Sequence, residues 1–255
     1  MPVSLDIPLS QLLGGLMTFV RVSGIFAFVP IPGVTAARSA AKIVMALALT
    51  LALSNRWPQT LPASWSGLAA AMIGEAALGI TIGLVVALAT EFLLVAFQTL
   101  SLQAGYSFAS TIDPTTQADA GVLQVFAQLT SGLLFFSLGL HHQVVLAFVR
   151  SLEIHPAGQF WLKPAAIPEI IGLGSLVFST GLRLALPVIA FLMVVDLSLA
   201  LMGRINAHLQ LILLAFPAKM VATLALLSLL TLVIPVVYRQ FAEAALLVVR
   251  KVIAI

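Results

Sequence analysis

Apolar stretches alternate with short polar or proline-rich breaks along the whole of this chain. Six stretches stand out, near Leu9 to Phe28, Ala41 to Ser54, Leu68 to Phe97, Val122 to Val149, Ile170 to Gly203 and Leu209 to Tyr238. A helix needs about 20 mainly apolar residues to cross a bilayer, and most of these stretches reach that length. The pattern predicts an all-α membrane protein with about six hydrophobic segments.

The segment lengths are uneven, which argues against six simple membrane-crossing rods. Only 13 uncharged residues lie between Lys42 and Arg56, whereas 30 lie between Asp119 and Arg150. The first interval is too short to cross a bilayer. We expect the long third and fourth segments to be bent helices or hairpins, and we expect Pro187 and Pro217 to kink the segments that contain them, since proline removes a helix hydrogen bond.

Three clusters of proline and small or polar residues predict turns between segments. They are Pro30 to Gly33, Trp57 to Pro62 and His155 to Gly158. No repeat of fixed period and no low-complexity tract is visible. We therefore expect residues 1–255 to form a single integral-membrane domain.

The composition agrees with a membrane protein and excludes several other classes. Hydrophobic residues make up 61% of the chain and charged residues 8%, against about 25% charged in a typical soluble domain. The net charge of +3 comes from twelve scattered Lys and Arg, so no basic stripe is present for a nucleic acid. There is no cysteine, which excludes disulfides and thiolate sites. Met1 to Asp6 contains no basic residue, and we expect no cleaved signal peptide.

The basic residues encode membrane orientation only weakly. With both termini in the cytoplasm, six basic residues fall on the inside and three on the outside. The inside group is Arg56, Arg150, Lys163, Arg239, Arg250 and Lys251, and the outside group is Arg38, Lys42 and Arg204.

Six ionisable residues lie singly within the apolar segments, where a charge costs about 2.5 to 3.5 kcal/mol on insertion scales. They are Arg21, Glu75, Glu91, Arg183, Asp196 and Lys219. They could form a proton or ion relay, but their scatter favours buried partners that hold helices or subunits together. Arg183 and Asp196 lie about 20 Å apart along one helix, so we expect each to have a partner elsewhere.

Glycines in the third segment favour close helix packing. Gly79 and Gly83 form a G-x-x-x-G pair, with Gly74 upstream. Small residues at this spacing let a second helix approach the backbone.

No signature of an enzyme is found, and we expect no catalytic, cofactor-binding or metal site. His141 and His142 are adjacent rather than four residues apart, as a helical zinc site would require. Gly105 to Ala109 resembles a nucleophile elbow, but no strand precedes it and no His-Asp set accompanies it. A phosphate-binding loop is absent as well.

A polar island of small residues separates the third and fourth segments. Its candidate functional residues are Gly105, Tyr106, Ser107, Phe108, Asp113, Pro114 and Asp119. It can be an ordinary loop, or it can be irregular backbone beside a water-filled passage, which is tolerated only where protein or water surrounds it. In the second case Tyr106 and Phe108 would supply bulk to block the passage.

At these residues the sequence resembles the FliR family of flagellar export-gate proteins, which has counterparts in type III secretion injectisomes. The matching elements occur in order over nearly the whole chain: Arg21 with Gly24 and Pro30; Pro32 and Gly33 before Lys42; Gly74, Glu75, Gly79 and Gly83; Gln103 and Gly105 before Asp113 and Pro114; Ser151 with Pro156 and Gly158; Gly181 and Arg183 through Pro187; and Phe216, Pro217 and Lys219. One departure follows Arg204, where the family commonly has Pro-Gln and then Asn and this chain has Ala207, His208 and Gln210.

The resemblance implies kinked helical hairpins that join FliP- and FliQ-type subunits in a closed hetero-oligomeric helical assembly in the bacterial inner membrane, at the flagellar basal body. The assembly would conduct unfolded export substrates, with FlhA- and FlhB-type components acting beside it. The stretch from Gly105 to Asp119 would match the family's plug loop. In this reading Arg21, Glu75, Arg183, Asp196 and Lys219 serve assembly.

Two other functions compete with a channel-forming subunit. Proline-containing spans with Arg183, Asp196 and Lys219 are also typical of an ion-coupled secondary transporter, but no internal repeat supports that function. An intramembrane enzyme ranks third, because no catalytic pair is found.

Overall fold

In the computed structural model, residues 8–29, 38–58, 62, 64–106, 121–160, 164, 166–205 and 211–254 are described. These residues form eight α-helices and no strand: α1 Leu9–Phe28, α2 Arg38–Ala52, α3 Trp65–Ala104, α4 Val122–Ser137, α5 Leu140–Ile154, α6 Ala166–Ile205, α7 Leu211–Leu230 and α8 Ile234–Ala254. A short 3-10 turn at Ser54–Arg56 follows α2. The predicted all-α membrane class is confirmed.

Three helices in the described part of the chain are long and apolar enough to cross a membrane: α1, α3 and α6. Two further spans result if α4 with α5, and α7 with α8, each count as one bent span. The second hydrophobic segment forms a helix of 15 residues, which is shorter than the length of about 20 residues needed to cross a bilayer. That it does not cross stays a prediction.

The third and fourth segments differ from each other in a way that their lengths do not reveal. α3 is a continuous helix of 40 residues, so a hairpin there is the wrong expectation. No proline interrupts Trp65–Ala104, and isolated glycines weaken a helix without ending it. The fourth segment does break, at Gly139, whose φ of +69° ends one helix before the next begins.

Helix α8 extends well beyond Tyr238, where the apolar stretch was expected to end. Charged residues interrupt the apolar run at Arg239, Glu243, Arg250 and Lys251. All four are exposed, while Phe241, Ala242, Ala245, Val248 and Val249 are buried. The charges therefore follow one face of an amphipathic helix.

The chain divides into two compact units. The first unit comprises Met1–Leu88, Gly139–Leu173 and Ala242–Ile255, and the second comprises Ala89–Leu138 and Gly174–Phe241. α3 supplies buried residues to both: Leu78, Ile82 and Val85 in the first unit, and Phe92, Leu93 and Phe97 in the second. A single domain over residues 1–255 stays a prediction.

The predicted turns are only partly within the described residues. His155 to Gly158 forms the expected turn, and Gly158 has a φ of +93°. Trp57 and Pro58 follow α2 and pack on α1, where their atoms come within 3 Å of the Cβ positions of Gly15 and Gly14. Pro30 to Gly33 lies outside the described residues.

Candidate functional site

A fully buried ion pair joins α1 and α3 in the first unit. The Arg21 Nε donates to Glu75 Oε2 at 2.5 Å and its Nη2 donates to Glu75 Oε1 at 2.9 Å. Neither side chain is exposed to solvent. Two parallel hydrogen bonds of this kind are the strongest arrangement for an arginine and a carboxylate.

The remaining polar atoms of this pair are bonded to α5 and to the turn that follows it. Arg21 Nη1 donates to Ser151 Oγ at 3.2 Å, and its Nη2 donates to the His155 carbonyl oxygen at 3.0 Å. The Gly158 backbone N–H donates to Glu75 Oε1 at 2.7 Å. One buried cluster therefore ties three helices and a turn together.

Glycines let α1 and α3 come close enough for this pair to form. A Cβ on Gly79 would clash with the backbone oxygen of Arg21, and a Cβ on Gly83 would lie 2.7 Å from that of Ile25. On the α1 side, a Cβ on Gly24 would lie 2.9 Å from the Ile80 nitrogen. The G-x-x-x-G pair thus lies at a backbone-to-backbone crossing beside the buried charges.

Gly74 makes a similar close contact with the segment after α5. A Cβ there would clash with the Phe160 carbonyl oxygen. Since Gly74 precedes Glu75 directly, one turn of α3 both carries the buried carboxylate and admits the neighbouring backbone.

A second ionic cluster lies in the second unit and connects α3, α6 and α7. Lys219 Nζ lies 2.9 Å from Asp196 Oδ1 and 3.0 Å from its Oδ2, and Gln103 Nε2 donates to Oδ2 at 3.1 Å. The Lys219 side chain is 11% exposed and that of Asp196 is 44% exposed. Asp196 therefore does have a partner outside its own helix, as expected.

The beginning of the polar island is anchored beside this cluster. Tyr106 Oη donates to the Met220 carbonyl oxygen at 3.1 Å. Gly105 has a φ of +85°, and a Cβ at this position would lie 2.7 Å from the Phe216 ring. Tyr106 thus contacts α7 through its hydroxyl group. Ser107, Phe108, Asp113, Pro114 and Asp119 lie outside the described residues.

Two of the lone charges are exposed on apolar helices of the second unit. Glu91 on α3 and Arg183 on α6 are both exposed, and neither forms an ion pair with a described residue. They flank a tight crossing, because a Cβ on Gly181 would lie 2.6 Å from the Phe92 carbonyl oxygen. Arg183 is thus not buried by this chain's described residues.

The other candidate residues within the described part of the chain are two prolines and a pair of histidines. Pro187 lies inside α6 and Pro217 inside α7, and their predicted kinks stay a prediction. His141 and His142 have ring centroids 4.1 Å apart. Across the part of the chain that the structure describes, no group of three His, Cys, Asp or Glu side chains is placed to hold a metal ion.

Sequence reasoning selected the charged residues but missed how they pair. Arg21 and Glu75 are single opposite charges, each close in sequence to glycines that pack helices, and this combination is a usable signal. The contributions of the Ser151 hydroxyl and the Gly158 N–H depend on a turn after α5, and the amide of Gln103 showed no periodic signal.

Comparison with known proteins places this chain in a family. The model of the family described as bacterial export proteins, family 1, matches residues 12–245. The flagellar biosynthetic protein FliR of Caulobacter vibrioides is 29% identical over 216 residues, which is 84% of this chain and 86% of that protein. The FliR protein of Escherichia coli is 27% identical over 88% of this chain and 86% of that protein. The FliR protein of Bacillus subtilis is 24% identical over 94% of this chain and 94% of that protein. The family match extends over both units, and the chain therefore belongs to family 1 of the bacterial export proteins.

Proposed function

We propose that this chain is a structural, channel-forming subunit of the flagellar type III protein export gate. It helps to conduct unfolded flagellar proteins across the inner membrane at the basal body. The carrying observation is the family match over residues 12–245, together with relatives named as flagellar biosynthetic proteins. The chain acts by shape and packing rather than by catalysis.

The exposed surface of α6 supports a role within a larger assembly. In the most apolar stretch of α6 only 22% of residues are buried, compared with 61% for α3. Phe178, Phe191, Val194 and Leu197 are among its exposed apolar side chains. Arg183 occurs on the same helix, near its middle, and a charge there is costly against lipid. Protein that supplies a carboxylate is the better cover for this helix.

The partners proposed are FliP- and FliQ-type gate subunits, with FlhA- and FlhB-type export components beside them. This follows the resemblance in the sequence, and the exposed opposite charges Glu91 and Arg183 provide two specific sites for ion pairs with them. The buried Arg21 and Glu75 pair instead holds the chain's own helices.

The experiment that tests this function is co-expression of the chain with candidate gate subunits, purification in mild detergent and measurement of the mass of the product. A large hetero-complex that contains this chain is expected. A stable, monodisperse monomer that remains free of all candidate subunits would overturn the proposal.

The polar island from Gly105 to Asp119 is the proposed plug of the conduit. The proposal is based on its composition, because small and polar residues interrupt two long apolar segments and Phe108 provides bulk. Tyr106 lies at the anchored beginning of the island, where its hydroxyl is bonded to α7. We therefore assign Tyr106 to holding the island in position and Phe108 to blocking.

A further inference from the structure

A groove of about 760 Å³ lies between α5 and α8 in the first unit. Leu146, Val149 and Arg150 line it from α5, and Leu246, Arg250 and Ile253 line it from α8. Binding sites for small molecules commonly have volumes of about 300 to 1,000 Å³. The groove is therefore large enough to hold part of a lipid molecule.

The two helices that form the groove end side by side. His155 Nε2 lies 2.9 Å from the Ile253 carbonyl oxygen, next to the last residues of both helices. Arg150 and Arg250 each lie four residues before the end of their helix, or about 6 Å at the rise of an α-helix. Leu146 and Leu246 lie one turn further back. The groove thus has paired arginines near the helix ends and apolar walls behind them.

The two arginines of the groove are available to bind an external anion. The neighbouring carboxylate Glu153 is paired with Arg56, and Glu169 is paired with Lys251. Arg150 and Arg250 are exposed and form no ion pair with any described residue. Arg150 and Arg250 therefore line the groove from two helices, and Glu153, the carboxylate among the described residues that line it, is already paired with Arg56.

We propose that this groove binds an anionic phospholipid, with its phosphate between Arg150 and Arg250 and an acyl chain along Leu146 and Leu246. Guanidinium groups bind phosphate oxygens through paired hydrogen bonds. Basic pockets between the helices of membrane proteins bind anionic headgroups in the same way.

Crosslinking in membranes tests this site on the full chain in whatever assembly it forms. A phosphatidylglycerol probe with a photoreactive acyl chain is added at a subsaturating concentration to membranes from expressing cells. The membranes are then irradiated, and the labelled peptides of this chain are mapped by mass spectrometry. Labelling is expected in residues 140–154 and 242–254. A matched phosphatidylcholine probe is expected to label these peptides much less.

Variants assign the labelling to the arginines. The double variant Arg150→Gln with Arg250→Gln should reduce the labelling roughly twenty-five-fold, since each basic residue near an anionic surface contributes about five-fold in affinity. Arg239→Gln, an exposed arginine on α8 outside the groove, should leave it unchanged. The double variant Arg150→Lys with Arg250→Lys keeps both charges but loses the paired hydrogen bonds of the guanidinium groups. Its labelling should fall between that of the parent and that of the double glutamine variant, which separates loss of charge from loss of folding.

Equal labelling of the parent and the double glutamine variant overturns the proposal, as does equal labelling by the two lipid probes. If the glutamine variant instead loses a co-purifying protein while lipid labelling persists, the groove is a docking site for an acidic protein segment and the lipid proposal is wrong. Gate assembly is measured separately, so failure of the export function does not decide the lipid result.

Discussion

At the residue scale, the first unit depends on both partners of the buried Arg21 and Glu75 pair being present. Arg21 donates to Glu75, Ser151 and the His155 carbonyl oxygen, so its charge is well satisfied without water. Removing one member of a buried pair leaves the other uncompensated, which commonly costs about 3 to 5 kcal/mol. The pair is therefore a requirement for a folded first unit more than a source of net stability.

Glu75→Gln is expected to lower the recovery of the assembled chain strongly, because the neutral amide leaves the Arg21 charge buried and unpaired. The measurement is the amount of chain recovered in the detergent-solubilised complex. Glu243→Gln, an exposed carboxylate on α8, serves as the control and should have little effect. Normal assembly of Glu75→Gln together with failed export would favour a relay role for this carboxylate instead.

At the scale of the elements, the crossing of α1 and α3 depends on the small size of glycine. Gly79→Ala places a methyl group against the Arg21 carbonyl oxygen, which is a backbone atom and cannot turn aside as the end of a flexible side chain could. Alanine otherwise stabilises a helix by about 1 kcal/mol relative to glycine. A loss of stability in Gly79→Ala would therefore come from the contact with the Arg21 backbone.

Gly79→Ala should therefore destabilise the chain, and Gly172→Ala should be neutral or stabilising. Gly172 lies on α6 with no atom within 4 Å of its Cβ position, which makes it a matched control. The readout is the midpoint temperature of detergent-solubilised unfolding for the two variants. Equal midpoints would contradict the assigned crossing.

The positions of helices could be predicted from the sequence where an apolar run was continuous and its length was distinctive. The apolar runs predicted α1, the short α2 and an overlong third segment, but not that α3 is one continuous helix. The break at Gly139 was not separable from the glycines within α3, because only the positive φ distinguishes it. The end of α8 was missed because its charges interrupt the apolar run, although they occupy a single exposed face. The Asp196 and Lys219 pair required knowledge of which helices are neighbours.

At the scale of the whole molecule, the exposed charges on apolar helices are the proposed contact sites for partner subunits. Arg183→Gln should reduce incorporation of this chain into the co-expressed complex several-fold while leaving its own folding unaffected, because no described residue pairs with Arg183. Incorporation is measured from the ratio of this chain to its partners after affinity purification. Arg239→Gln is the control. Full incorporation of the Arg183 variant would show that this face is not an interface.

The plug assignment predicts a change in closure without a change in assembly. A plug must move, so few of its contacts are needed to hold the surrounding helices. Phe108→Ala and a shortened island should therefore let small ions leak through the inner membrane of cells that express the full partner set. Tyr106→Phe keeps the ring but loses the hydrogen bond to Met220, and it should leak as well if the tyrosine holds the island in position. If intact complexes of Phe108→Ala and of the shortened island show no added leakage, the island is an ordinary loop.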